Sequence, residues 1–229
     1  EPALVAGHSL GEYTALVAAE ALAFREAVPL VRYRAQAMQE AVPVGEGAMA
    51  ALLGLDDDAV NAACREAAQG QVVEAVNFNA PSQVVIAGHK AAVERGVAAA
   101  KVKGARRAVM LPVSAPFHSS LLKPAADKLA AYLDSIVVSA PRIPVVNNVD
   151  VAAESDSRRI KDALARQACN PVRWVEVVRR IAGAGVAHVA ECGPGKVLAA
   201  LTKRIEGGLQ GYAITDPQSL EQTLQAFKS

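Results

Sequence analysis

A chain of 229 residues is long enough for one sizeable core plus a subdomain. Its residues are 52% hydrophobic but only 4% aromatic, so the core is expected to be Ala, Val and Leu from helices packed on a buried sheet, an α/β composition. With 24 basic against 23 acidic side chains and no dense basic run, the chain is not built to follow a phosphate backbone, and no nucleic-acid partner is expected.

Glu1 and Pro2 run at once into the apolar Ala3-Leu4-Val5-Ala6, which reads as a short buried strand. With no initiator Met and no element before it, this opening reads as that of a fragment whose N-terminal segment is missing. Gly7 to Gly11 then forms a tight turn opening a helix that runs to about Ala21. A second helix, about Phe24 to Ala41, carries Val28, Val31, Ala35 and Met38 at spacings of three and four, with Arg34 in its middle. Pro43, Gly45 and Gly47 mark a loop and a domain boundary.

From Ala48 to Val113 the order becomes strand, helix, strand, strand, helix, strand. The pieces are Ala48 to Leu55, Asp57 to Ala68, Val72 to Asn77, Val84 to Ala87, Ala91 to Lys103 and Ala108 to Val113. This βαββαβ order predicts a ferredoxin-like subdomain over residues 44–113. Residues 1–43 and 114–229 are assigned to a larger, α/β-hydrolase-like domain with a parallel sheet. Its later elements are helices at Pro124 to Ser135, Ser157 to Ala168 and Val172 to Gly183, a strand within Pro141 to Val149, and a buried strand from Val186 to Cys192. After the turn Gly193-Pro194-Gly195 come a helix from Val197 to Ile205, a weak strand at Tyr212 to Ile214 and a short helix.

Cys64, Cys169 and Cys192 lie far apart without C-x-x-C spacing, which predicts neither disulfides nor a metal site and fits a reducing cytoplasm. No apolar run reaches the roughly 18 residues needed to span a bilayer, and no membrane association is expected.

Gly7-His8-Ser9-Leu10-Gly11 fits G-x-S-x-G, in which a serine nucleophile sits on a strained strand-to-helix turn. Glycines are expected there because the turn leaves no room for flanking side chains. The Leu10 N–H, at the helix N-terminus, is best placed to donate to an oxyanion. Such a serine needs a base. Of the four histidines, His8 is expected to be structural, His89 to be a surface or capping residue, and His188 a satisfied core residue. His118 is favoured as the base, because Ser114 to Ser120 forms a turn directly after a strand. Arg34 by pattern alone reads as a solvated helix arginine.

Six ordered motifs change that reading. They are Gly7 to Tyr13, Arg34 before Met38-Gln39-Glu40-Ala41, Asn77-Phe78-Asn79-Ala80-Pro81, Pro116-Phe117-His118-Ser119, Pro144 to Val149, and Gly193-Pro194-Gly195-Lys196. Together they resemble the malonyl-CoA:acyl carrier protein transacylases of bacterial fatty-acid synthesis through nearly the whole chain. Acyltransferase domains of polyketide and multifunctional fatty-acid synthases share the pattern.

The resemblance implies Ser9 as acyl acceptor, His118 as general base and acid, and the Gln167 backbone carbonyl as the acceptor from the other histidine nitrogen. It implies Arg34 as the bidentate partner of the malonyl carboxylate, which a planar guanidinium suits better than a lysine. Asn77, Asn79 and His8 are placed near the thioester ligand. Phe117 would crowd a methyl branch, disfavouring methylmalonyl by about 1 to 3 kcal/mol.

Members of the family begin with a glutamine-bearing, Gly-rich loop that completes the oxyanion hole, and no such loop precedes Glu1 here. The loss of one donor typically costs about a hundred- to thousandfold in rate. Malonyl-CoA is the implied substrate, with no tightly bound cofactor. Acyl carrier protein is the implied partner, with Arg106, Arg107, Lys123 and Lys196 as basic surface candidates on a monomer. Two competing readings are an α/β-hydrolase-type esterase or thioesterase, which needs an Asp or Glu partner for the histidine, and a non-catalytic carrier-binding module.

Overall fold

A computed structural model of the chain describes residues 1–228; Ser229, the last residue of the expected larger domain, lies outside the described residues. The chain divides into two compact units, one over Glu1–Trp174 and one from Val175 onward. The boundaries expected at residues 43/44 and 113/114 both fall inside the first unit.

The first unit opens with β1 (Val5–Ala6), which pairs in parallel with β6 (Val145–Val146). Val5 meets Val145, and the turn after β1 leads into α1 (Leu10–Ala18). α2 (Phe24–Glu40) follows and buries Ala27, Leu30, Arg34, Ala37 and Met38, a stripe at three- and four-residue spacing. With α5 (Lys123–Asp134) and α6 (Ser157–Gln167), these helices enclose a core that includes Tyr13, Leu16, Leu30, Leu129 and Leu164.

Between α2 and α5 the chain forms β2 (Gly47–Leu53), α3 (Asp57–Ala68), β3 (Val73–Ala80), β4 (Gln83–His89), α4 (Lys90–Val102) and β5 (Arg107–Met110). The four strands make one antiparallel sheet in the order β3-β4-β2-β5. The Asp56 side chain accepts from the Ala59 N–H and caps α3, as expected of an acidic helix start.

Strand alternation gives this sheet two different faces. Ala48, Ala50, Leu52, Val84 and Ile86 pack with Val60, Ala63, Ala92 and Val93 of the helices. Met49, Val76, Val85 and Ala87 point the other way, toward Leu111 and Phe117. A register shift between Ala75 and Asn77 lets β3 contribute Ala75 to one face and Val76 to the other.

Several boundaries differ from expectation for identifiable reasons. β5 ends at Met110 rather than Val113: the Leu111 N–H still donates to Met49, but Pro112 has no N–H with which to continue the ladder. α7 (Trp174–Gly183) starts after Val172, because Val172 is held as a bridge to β3, donating to Val76 O and accepting from the Phe78 N–H.

In the second unit β7 (His188–Cys192) pairs in parallel with β8 (Gln210–Ile214), accompanied by α8 (Val197–Ile205) and α9 (Pro217–Ala226). β7 is half-buried rather than buried, and starts at His188 rather than Val186. Among the described residues no helix is long and apolar enough to cross a membrane, and no group of His, Cys, Asp and Glu could hold a metal ion.

Candidate active site

Ser9 lies on the turn between β1 and α1 at φ 51° and ψ −107°, in the left-handed half of backbone space where a non-glycine residue is strained. The turn is tight because Gly7 meets the start of the helix: a Cβ there would lie 1.9 Å from the Gly11 carbonyl carbon. Gly11 is different. A Cβ on it would meet nothing within 4 Å, so crowding of the turn accounts for the first glycine of the motif and not the second.

His118, on the turn before α5, is also left-handed at φ 66° and is 4% exposed. Its Nδ1 lies 2.8 Å from the Gln167 backbone oxygen, which can only accept, so Nδ1 carries the proton. Nε2 is then the free acceptor, and it lies 2.8 Å from Ser9 Oγ. Burial, aided by the positive charge of Arg34, pushes the imidazole pKa down to about 3. The ring is therefore neutral at physiological pH and ready to take the serine proton.

Arg34 reaches the same oxygen from α2. Its Nη2 donates to Ser9 Oγ at 2.9 Å and to Gln167 Oε1 at 3.0 Å, and its guanidinium lies 5.5 Å from the centre of the Tyr13 ring. Thus Oγ gives its proton toward His118 and accepts from Arg34. The expectation of a solvated arginine from pattern alone is overturned, since Arg34 is only 7% exposed.

Behind these groups lies a network whose roles the residue pattern did not signal. Asn148 Oδ1 accepts the Ser9 N–H at 2.7 Å, and Asn148 Nδ2 donates to Gly7 O at 2.8 Å. Glu12 Oε2 accepts from the Asn148 N–H at 2.9 Å and from Gln167 Nε2 at 2.8 Å. Gln167 Nε2 also donates to Ser9 O at 3.0 Å. Burial pushes the Glu12 carboxyl up to about 7, against the hydrogen bonds from Gln167 and Asn148 and the charge of Arg34, which pull it down. Glu12 belongs to the first motif and Asn148 to the Pro144 to Val149 motif, but their pairing joins positions 136 residues apart.

Ser9 and His118 open onto a cavity of about 320 Å³, large enough for a thioester and a short acyl group. Met38, Met49, Leu111, Val113 and Phe117 form its apolar wall, and Arg34, Asn77 and His8 add polar groups.

The acyl transferase domain family model matches residues 1–210. The chain is 58% identical over 223 residues to the malonyl CoA-acyl carrier protein transacylase of Salmonella typhimurium, covering 97% of this chain and 72% of that protein. The chain belongs to the malonyl CoA-acyl carrier protein transacylase family. Among solved structures, the acyl-carrier-protein S-malonyltransferase of Burkholderia pseudomallei 1710b matches with a TM-score of 0.96 and 68% identity, over 98% of this chain and 73% of that one. A malonyl-transacylase solved with its type II PKS acyl-carrier protein matches with a TM-score of 0.97 and 53% identity, over 99% and 73%.

Within this transacylase the remaining expected residues fall at two distances from Ser9. Phe117, Asn77 and His8 line the cavity, and the Asn77 Oδ1 is buried without a hydrogen-bond partner among the described residues. Asn79 is bonded to the His8 ring, 2.8 Å from Nε2, and Trp174 lies against that ring with centroids 5.5 Å apart. Leu10 is the first residue of α1, so its N–H is among the donors that no preceding carbonyl of the helix can reach.

The other two histidines have partners of their own. His89 precedes α4 but makes no side-chain cap; its Nδ1 accepts the Val72 N–H at 3.0 Å. In the second unit His188 is half-buried against Tyr212 and Phe227. Of the basic surface candidates, Arg107 is exposed and Lys123 pairs with Asp127.

Proposed function

We propose that this transacylase moves a malonyl group from malonyl-CoA to the phosphopantetheine thiol of acyl carrier protein through a malonyl ester on Ser9. The observation that carries the reading is the convergence of a base and a cation on one hydroxyl: His118 Nε2 at 2.8 Å and Arg34 Nη2 at 2.9 Å from Ser9 Oγ.

In the first half-reaction His118 takes the hydroxyl proton as Oγ attacks the thioester carbonyl. The developing oxyanion would receive the Leu10 N–H at the positive end of α1. Collapse breaks the carbon–sulfur bond, and His118 returns its proton to the departing thiolate, leaving malonyl-Ser9 and free CoA. The carrier thiol repeats the sequence in reverse: it loses its proton to His118, attacks the ester, and expels Ser9 with the proton restored. The Gln167 carbonyl keeps the imidazole in the productive tautomer throughout, in the place where an ordinary triad has an acid.

Arg34 would turn from Ser9 Oγ to pair with the malonyl carboxylate once the acyl group is in place. The cavity favours that exchange, because its wall is apolar and a carboxylate there would otherwise lose its hydration. Phe117 on the wall would disfavour a methyl branch, and Asn77, with His8 held by Asn79, would contact the thioester arm. No tightly bound cofactor is called for by this chemistry.

We further propose that residues 44–113 act as a ferredoxin-like subdomain inserted in an α/β-hydrolase-like domain. The antiparallel order β3-β4-β2-β5 supports this, and its Met49 face supplies part of the cavity wall. The protein would act as a cytoplasmic monomer, with Arg106, Arg107, Lys123 and Lys196 as candidates for meeting an acidic carrier. The test is formation of malonyl carrier protein from malonyl-CoA and phosphopantetheinylated acyl carrier protein. Product dependent on Ser9 supports the reading; steady hydrolysis of malonyl-CoA without transfer would favour a thioesterase.

A further inference from the structure

Glu12 has no part in the chemistry above, yet it is 2% exposed and lies directly behind the site. Its Oε2 faces Gln167 Nε2, and the other end of the same amide, Gln167 Oε1, faces Arg34 Nη2. An amide has one donating and one accepting end, so the groups facing it decide which way round it sits. A guanidinium can only donate and an ionised carboxylate can only accept. Turning the Gln167 amide over would set donor against donor at Arg34 and acceptor against acceptor at Glu12.

We infer that Glu12 is the positioning residue of the carboxylate clamp: acting through the Gln167 side chain, it holds Arg34 beside Ser9 and thereby sets the preference for a carboxylated acyl group over a plain one. A second observation points the same way. Arg34 Nε is buried without a hydrogen-bond partner among the described residues, so the guanidinium is tied down through Nη2, to Ser9 and to the Gln167 amide. Acylation turns Ser9 Oγ into an ester oxygen, a weaker acceptor, so the Gln167 amide becomes the stronger hydrogen-bonded tie when Arg34 must meet the substrate carboxylate. Through Asn148 the same Glu12 oxygen also backs the turn that carries Ser9.

The inference rests on reading Arg34 as the carboxylate clamp, and the experiment separates the two. The quantity measured is the ratio of kcat/KM for loading Ser9 from malonyl-CoA to that from acetyl-CoA, at pH 8, in the full chain and its variants. Glu12→Met keeps the length of the side chain and removes the acceptor. It is expected to lower the ratio at least about tenfold, mainly through KM for malonyl-CoA. Glu12→Gln, whose amide oxygen can take the place of Oε2, is expected to restore most of the ratio.

Gln167→Met removes the amide but keeps the backbone carbonyl, and is expected to lower the ratio to the same extent; it decides the matter if Glu12→Met does not fold. A ratio within about threefold of the parent in either folded methionine variant, whether both loading rates fall together or neither falls, overturns the inference. A parent chain that loads malonyl no better than acetyl overturns the clamp itself, and that result is visible before any variant is made.

Discussion

Nη2 of Arg34 donates to Oγ of Ser9 at 2.9 Å, so the side chain expected to bind the substrate carboxylate touches the nucleophile itself. Its removal should therefore affect malonyl-CoA more than acetyl-CoA. A hydrogen bond to a charged group contributes about 1.5 to 3 kcal/mol, so Arg34→Ala should lose about ten- to a hundredfold in kcat/KM for malonyl loading. Arg34→Lys should recover only part of this, because an ammonium cannot make the bidentate pair. Single-turnover loading with each thioester measures both effects.

The two glycines of the first motif should respond in opposite ways. Gly7→Ala places a methyl 1.9 Å from backbone that cannot move without unwinding the turn, and should abolish loading and lower the unfolding temperature. Gly11→Ala meets open space inside α1 and should raise stability by about 0.5 to 1 kcal/mol, the usual helix preference for alanine over glycine. Thermal unfolding of the two variants side by side measures the contrast.

That contrast marks how far the amino-acid order could be read. The Ser9 turn was legible because its demand is local, a strand, a close approach at Gly7 and a helix within a few residues. The βαββαβ order was legible from alternation and helix caps such as Asp56. Glu12 and Asn148 were not assigned roles, because an acidic residue in a first helical turn and an asparagine in a polar loop have ordinary local explanations. Only folding brings Glu12 to Gln167, 155 residues away. Arg34 was singled out through family resemblance alone, because its burial on α2 against Ser9 leaves no mark in the local residue pattern.

The Glu12 carboxyl should make stability depend on pH in an unusual direction. Its pKa in the fold is about 7, raised by burial above the ordinary 4.5, so the folded chain holds this proton more tightly than the unfolded one. The group's penalty on the fold therefore builds as pH rises through 4.5, is full above about 7, and is absent below 4.5. On going from pH 5 to pH 8, Glu12→Gln should gain on the parent by up to about 3 kcal/mol. The buried neutral His118 acts in the opposite sense, costing stability as pH falls below 6.5, but it is common to both chains and cancels in the difference. Urea unfolding at the two pH values gives the numbers.

His118 should also leave its mark on the rate. With its pKa held near 3, the imidazole is already the free base across the ordinary range. The kcat/KM for malonyl loading should show no acid limb near the usual histidine value of 6.5, and a fall due to this group should come only below about pH 4. A pH profile of single-turnover loading from pH 4 to pH 9 would show it.

The central claim is that Ser9 carries the malonyl group, and intact mass spectrometry after incubation with malonyl-CoA tests it most directly. The account predicts one added malonyl group on the parent chain, none on Ser9→Ala, and loss of the adduct on addition of phosphopantetheinylated acyl carrier protein. An adduct that persists in Ser9→Ala, or a folded parent chain that stays unmodified, would contradict it.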